Sequence, residues 1–250
     1  MARWHLAARK ELPDWIQIPW PWWQGFVVLG AWLGLQFAIG IGISLIAPYS
    51  SVLTNFVNQV QGGQQLQAQV AAYLLEVLAG VLAIGFYMWR YKVGIATLGI
   101  RKFNVVKMLG YFLALGVVFF LGVQLILLLV TVLVPHFNAN QAQSNGIISN
   151  AKQQPLLAIV TLVVLPPILE ETLFRGFMFP TFSKKVGLVW GAILSSALFG
   201  IAHWQANISV YTFVLGLVLC FMYVKLKSTV PGMFLHMLNN YVAFLAMFHK

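Results

Sequence analysis

The stretch LPPILEETLFRGF, residues 165–177, places two adjacent carboxylates inside apolar sequence. The 250-residue chain has only five acidic residues, and Glu170 and Glu171 are two of them, with Arg175 close behind. Ionised groups are costly in an apolar medium, so the stretch predicts a buried ion pair, a chemically active site, or both. The medium around it therefore decides the fold.

The composition identifies that medium as a lipid bilayer. The chain is 60% hydrophobic and 8% charged, whereas a soluble domain carries roughly a quarter charged residues. Its mean hydropathy is +0.85. The net charge of +10 comes from short basic clusters between apolar runs, which favours membrane orientation over a nucleic-acid partner. The single cysteine excludes a disulfide framework and a CxxC motif.

The apolar runs predict an all-α polytopic membrane helix bundle of about seven transmembrane helices, the fourth kinked at Pro166-Pro167. An N-terminal membrane region, 1–154, would hold three spans, the first retained rather than cleaved, and residues 155–250 would hold four. Long loops are expected at Ser50–Gln69 and His136–Gln154, and a tight hairpin at QANI, 205–208. The predicted spans are Trp23–Ala47, Val70–Trp89, Val106–Val134, Leu156–Phe182, Val186–Trp204, Ile208–Val224 and Val230–Phe248.

The basic residues alternate along the chain and predict its orientation. Clusters precede span one and follow spans two, four and six, while the intervening loops carry little charge. The positive-inside rule then puts the N-terminus in the cytoplasm and the C-terminus outside. We expect a multi-pass protein of the cell (plasma) membrane.

Several ionisable or amide side chains lie inside these spans, and their spacing is informative. Glu171 and Arg175 are four residues apart on one helix face and can pair, whereas Glu170 points away and is free to act as a base. His236 and Asn240 are also four apart and project to one side. Helical rise places these groups and His203 between about 14 and 27 Å from the cytoplasmic lysines.

Each residue also has a structural interpretation. Glu171 with Arg175 would be an ion pair, His203 a cap of the hairpin, and Asn240 a helix–helix hydrogen bond. Glu76 has no partner in the sequence, and we expect a structural role for it. The others, taken together from three helices, form a set suited to water activation and oxyanion stabilisation.

Three motifs in this set resemble those of the CPBP family of intramembrane proteases (CAAX protease and bacteriocin-processing, also called Abi). They are EETLFR from Glu170 to Arg175, FGIAH from Phe199 to His203, and HMLNN from His236 to Asn240. They occur in the family's order within roughly the last 100 residues. The first three spans show only membrane character.

The resemblance implies peptide-bond hydrolysis inside the membrane, with the kinked fourth helix as the catalytic helix. Glu170 and His203 would activate water, His236 and Asn240 would stabilise the oxyanion, and Glu171 and Arg175 would support the site. A metal-free mechanism without cofactor is favoured. Zinc is the alternative, held by Glu170, His203 and His236, although HExxH spacing is absent.

Two other classes of function stay open at this point. The resemblance allows a bacteriocin-immunity or membrane-binding protein that acts without proteolysis. Intramembrane carboxylates and histidines also serve in transporters and proton relays, but we find no inverted repeat. The expected protease substrate is a membrane peptide or lipidated peptide, such as a CAAX-type tail or a bacteriocin leader.

Overall fold

The computed structural model describes residues 12–61, 66–138 and 154–248, and its regular elements in these ranges are all helical. The predicted all-α membrane bundle is thereby confirmed. In chain order the first helices are α1 (Gln24–Ile46), α2 (Ser51–Gln61), α3 (Leu66–Tyr91) and α4 (Val105–Leu133). Short 3₁₀ turns occur at Ala47–Tyr49 and Ile95–Leu98.

The second half of the bundle begins with a long composite helix. It starts as Pro155–Ala158, continues through a π-helical segment Ile159–Val164, returns to α geometry over Leu165–Glu170, and enters a second π segment, Glu171–Met178. The last segment, Phe179–Ile201, is interrupted at Gly187, whose φ of 81° and ψ of 169° are not helical. We call residues 155–186 α5 and residues 188–201 α6; α7 (Ala206–Leu226) and α8 (Val230–Phe248) follow.

The predicted helices correspond to α1, α3, α4, α5, α6, α7 and α8. Within the described ranges, five stretches are long and apolar enough to cross a membrane, and one of them is the 47-residue run Pro155–Ile201 that contains both α5 and α6. The hairpin between α6 and α7 is as tight as expected, with Trp204 at a φ of 56°. The boundary between 1–154 and 155–250 stays a prediction.

One expectation about the backbone was wrong. Ser50–Gln69 was predicted to be a loop, but α2 begins at Ser51 and α3 at Leu66, because Leu53, Phe56 and Val57 are half-buried on one helical face. At Pro166-Pro167, where a kink was predicted, the helical segments follow one another without a break. The π segments accommodate the change in hydrogen-bond register. Most of the predicted loop His136–Gln154 lies outside the described residues.

The N-terminal segment packs beneath α5 and anchors the helix that carries the paired glutamates. Trp20 is fully buried, and its Nε1–H donates to Thr181 Oγ1 at 2.7 Å. Its ring stacks on Phe177 with centroids 4.5 Å apart. Gly176 lies directly against the 3₁₀ turn Ile95–Leu98, because a Cβ added to Gly176 would be 2.5 Å from the Leu98 carbonyl oxygen. These contacts hold the second π segment in place.

The basic connections gather at one end of the bundle, which also contains the N-terminal segment. Lys184 Nζ donates to the Ile18 and Trp20 carbonyls at 3.0 and 3.1 Å. Arg101 Nη1 donates to the Trp15 carbonyl at 2.6 Å, and the Arg101 carbonyl accepts from Ser228 Oγ at 2.8 Å. The connections after α3, at Gly187 and after α7 therefore meet, as the alternating basic clusters require.

Candidate active site

The predicted pair of Glu171 and Arg175 is present and completely buried. Arg175 Nη1 donates to Glu171 Oε1 at 2.8 Å, and both residues are 0% exposed. The guanidinium also lies 4.2 Å from the centre of the Phe199 ring, in a cation–π contact. The glutamate charge is thus neutralised inside the bundle, which offsets the cost of its desolvation.

Two glycines on neighbouring helices provide the space for this pair. A Cβ at Gly216 of α7 would stand 3.1 Å from Arg175 Nη2, and a Cβ at Gly232 of α8 would stand 3.0 Å from Glu171 Oε2. Larger side chains at either position would crowd the charged groups. The pair therefore depends on three helices rather than on α5 alone.

His236 joins the two glutamates. Its Nδ1 lies 3.3 Å from Glu171 Oε1 and its Nε2 lies 3.6 Å from Glu170 Oε2. The side chain is 3% exposed. Because Arg175 holds Glu171 and Glu171 contacts Nδ1, the ring presents Nε2 to Glu170. Because the Glu171 carboxylate accepts at Nδ1, an Nε2–H that donates to a developing oxyanion requires the imidazolium form of the ring, with a hydrogen on both nitrogens.

His203 has a defined tautomer. Its Nδ1 lies 2.8 Å from the Phe199 carbonyl oxygen, and a carbonyl can only accept, so Nδ1 carries the hydrogen. In the neutral ring Nε2 is then the acceptor. The Phe199 ring packs edge-to-face against both His203 and His236, with centroids 5.0 and 5.8 Å apart. Phe199 therefore contacts both imidazoles.

Glu170 and His203 line one cavity of about 180 Å³ between α1, α3, α5 and α6. Neither His236 nor Asn240 is among its lining residues, although His236 contacts Glu170 from behind. The remaining residues of the lining are Trp32, Leu33, Gln36, Tyr73, Glu76, Leu169, Phe174, Phe199, Ala202 and Trp204. Glu76, for which we expected a structural role, faces the same space as the candidate base.

Asn240 donates to a backbone carbonyl that Pro166 and Pro167 leave without a donor. Prolines lack an N–H, so the Leu162 carbonyl has no backbone donor from Pro166 in the α register or from Pro167 in the π register. Asn240 Nδ2 donates to that carbonyl at 3.1 Å. One of its two amide hydrogens is thus used structurally, and the other is available to a ligand.

Asn240 is itself held by a relay of side chains that the motifs do not reveal. Its Oδ1 accepts from Asn239 Nδ2 at 3.2 Å, and Asn239 Oδ1 accepts from the Tyr211 hydroxyl of α7. The relay runs from α7 through α8 to α5. Tyr211, Gln36 and Tyr73 were missed because a tyrosine or an amide in an apolar helix carries no sequence signal of its own.

The zinc alternative would need Glu170, His203 and His236 to surround one point. Across the described ranges no group of three His, Cys, Asp or Glu side chains could hold a metal ion. A catalytic zinc needs three protein ligands around one point, so no step through zinc is derived below.

Together the fold and site define a helical membrane protein whose site contains a buried Glu171 and His236 beside a half-buried Glu170 and His203. Residues 152–242 match the family model described as Type II CAAX prenyl endopeptidase Rce1-like. This match confirms the resemblance predicted from the three motifs, and it covers all of them.

Two curated proteins are similar in sequence to part of this chain. The chain is 33% identical over 87 residues to "Putative membrane peptidase YdiL" of Bacillus subtilis (strain 168), covering 34% of this chain and 35% of that protein. It is 44% identical over 52 residues to an "Uncharacterized 24.3 kDa protein" of Escherichia coli, covering 20% and 24%. The matches thus span about a third of the first relative and a quarter of the second. No solved structure matches significantly.

Proposed function

We propose that this protein is an intramembrane endopeptidase that hydrolyses a peptide bond of a membrane-associated substrate. The observation that carries the proposal is the shared cavity of Glu170 and His203, with His236 Nε2 3.6 Å behind Glu170. A base and an imidazole acceptor in one cavity, with a second imidazole in contact with the base, are groups that amide hydrolysis requires. The family match of residues 152–242 supports the same chemistry.

In the proposed mechanism Glu170 and the Nε2 lone pair of His203 hold one water molecule. Glu170 removes its proton, and the resulting hydroxide oxygen bonds to the carbonyl carbon of the scissile peptide. The oxyanion forms on the side of Glu170 where His236 and Asn240 lie, outside the cavity lining. There the Nε2–H of His236, with the ring as imidazolium, and the second Nδ2–H of Asn240 stabilise it. Glu170 then gives its proton to the leaving nitrogen as the carbon–nitrogen bond breaks. Glu171 and Arg175 hold His236 in position.

No metal or cofactor takes part in the proposed mechanism. Glu170 supplies the base, and two donors, from His236 and Asn240, hold the oxyanion. Chelator titration of the purified protein together with elemental analysis tests this point. Activity that is unchanged by chelation in metal-free protein supports the glutamate mechanism, and activity restored by zinc contradicts it.

The test of function is cleavage of tagged membrane peptides in lipid nanodiscs, read by mass spectrometry. The panel contains prenylated CAAX-type tails, bacteriocin-type leaders and plain membrane-spanning peptides. Glu170→Gln and His203→Ala should each lower the rate about 10²–10⁴-fold, the usual contribution of a general base. Asp14→Asn, the same chemical change at an exposed residue, should leave the rate unchanged.

The same variants separate proteolysis from immunity by binding. If Glu170→Gln and His203→Ala keep the cellular function of the wild type, the function does not depend on hydrolysis and the endopeptidase proposal is wrong. Loss of both cleavage and cellular function, with Asp14→Asn unaffected, supports it.

A further inference from the structure

The cavity has a second wall that lies outside the matched residues 152–242. Gln36 of α1 and Tyr73 and Glu76 of α3 face the cavity opposite Glu170 and His203. Trp32 Nε1 donates to the Glu76 backbone carbonyl at 3.2 Å, which ties α1 to α3 at this level. The residues of this wall therefore belong to two helices that are hydrogen-bonded to each other.

Two polar groups of this wall lack partners. Gln36 Nε2 and the Tyr73 hydroxyl are buried and make no hydrogen bond to the described residues. Unsatisfied buried polar atoms are uncommon in folded proteins and mark places where a ligand completes the hydrogen bonding. Both groups can donate, so they fit the carbonyl oxygens of an extended peptide backbone.

One carboxylate of the cavity, Glu76, has no cationic partner of its own. Glu171 is neutralised by Arg175, but no salt bridge joins Glu76 to a cation in the described parts of the chain. His203 presents its lone pair from Nε2, as argued above, and adds no positive charge in its neutral form. Glu170 is contacted by His236, so Glu76 is the carboxylate of the lining that is left to pair with a positive charge on the ligand.

We propose that Gln36, Tyr73 and Glu76 form a substrate-binding wall, in which Glu76 selects a Lys or Arg side chain beside the scissile bond. Gln36 and Tyr73 donate to the substrate backbone. The inference rests on the proposed endopeptidase function and names the class of peptide that this site takes. Glu76 is a specificity-determining residue in this account, while Glu170 keeps the chemical step.

The first experiment uses four membrane-spanning peptides that differ at one residue next to the cleavage site. Lys is compared with Met, and Arg with Gln, so that length is kept and charge is removed. The wild type should prefer each basic peptide by about tenfold or more in kcat/KM. Glu76→Gln should bring both ratios close to one through KM, with the Met peptide unaffected, and Glu76→Asp should retain part of the preference.

Two controls make the result specific. Tyr73→Phe removes one backbone donor and should weaken all four peptides by the same factor. If Glu76→Gln keeps the basic preference, or weakens all four peptides equally, then Glu76 does not select charge and the inference is wrong. Equal processing of basic and neutral peptides by the wild type also overturns it.

Binding separates this inference from the proposed function. On the Glu170→Gln background, the Lys peptide should bind about tenfold tighter than the Met peptide, and adding Glu76→Gln should abolish the difference. If no peptide is cleaved by the wild type but this difference is present, the endopeptidase proposal fails and the binding wall stands. If the two peptides bind equally, or neither binds, the wall proposal fails whatever the activity.

Discussion

The charged residues of α5 depend on one another for neutralisation inside the bundle. Arg175 is completely buried, and it neutralises Glu171, which in turn contacts His236. Removing one member of such a pair leaves the other charge without compensation in a medium of low dielectric constant. The stability of the site therefore resides in the pair and not in either residue.

We predict that Arg175→Met destabilises the protein by about 3–5 kcal/mol, because Glu171 is left buried and unpaired. The double variant Arg175→Met with Glu171→Gln should recover much of this loss, since no charge is then stranded. Thermal unfolding in detergent measures both. A double variant that is less stable than Arg175→Met alone would show that the pair is not coupled.

Alanine substitution of two glycines tests how tightly single residues are packed. An alanine Cβ at Gly176 would lie 2.5 Å from the Leu98 carbonyl oxygen, whereas a Cβ at Gly34 would meet nothing within 4 Å. We predict that Gly176→Ala costs about 1–3 kcal/mol through overpacking against backbone. Gly34→Ala should be neutral or stabilising by up to about 1 kcal/mol, the helix propensity difference. Equal unfolding temperatures for the two variants would contradict the prediction.

At the scale of elements, α5 is the component on which the site depends. The Pro pair leaves the Leu162 carbonyl without a backbone donor, and α8 supplies one through Asn240. The Asn240 amide is in turn held through Asn239 by Tyr211 of α7. The carbonyl freed by the prolines of α5 thus positions a side chain of α8. Neighbouring helices commonly satisfy freed backbone groups in this way in membrane proteins.

We predict that Tyr211→Phe lowers kcat about tenfold without changing KM, because the relay orients a group that acts on the transition state. The change removes only a hydroxyl, so packing against Phe119 is kept. Tyr241→Phe, at an exposed tyrosine of α8, is the matched control and should leave kcat unchanged. A rise in KM alone would assign the relay to substrate binding instead.

At the scale of the whole molecule, the basic connections converge at one end with the N-terminal segment. The bundle is thus built with a positive end, and the positive-inside rule predicts that this end is cytoplasmic. The candidate site lies between the two ends, beside helices whose other faces are apolar and exposed. A substrate held in the membrane would reach it from the side of the bundle.

Orientation is tested by labelling single cysteines with a membrane-impermeant maleimide in intact cells, on a Cys220→Ala background. Tyr49→Cys, at a residue 90% exposed in the 3₁₀ turn that follows α1, should label from outside. Lys185→Cys, at the basic end, should label only after the membrane is permeabilised. The reverse pattern would invert the predicted topology.

Hydropathy alone was sufficient to predict the helices and the membrane around them. The helical repeat of 3.6 residues was sufficient to predict the Glu171–Arg175 pair and the common side of His236 and Asn240. Amphipathic α2 was missed because its polar composition suggested a loop. Only the tertiary structure decided that His236 contacts both glutamates, that Asn240 caps Leu162, and that Glu76 faces the cavity of Glu170 and His203. Those contacts join residues far apart in the chain, and they depend on helix packing and π-helical register, which no local periodicity encodes.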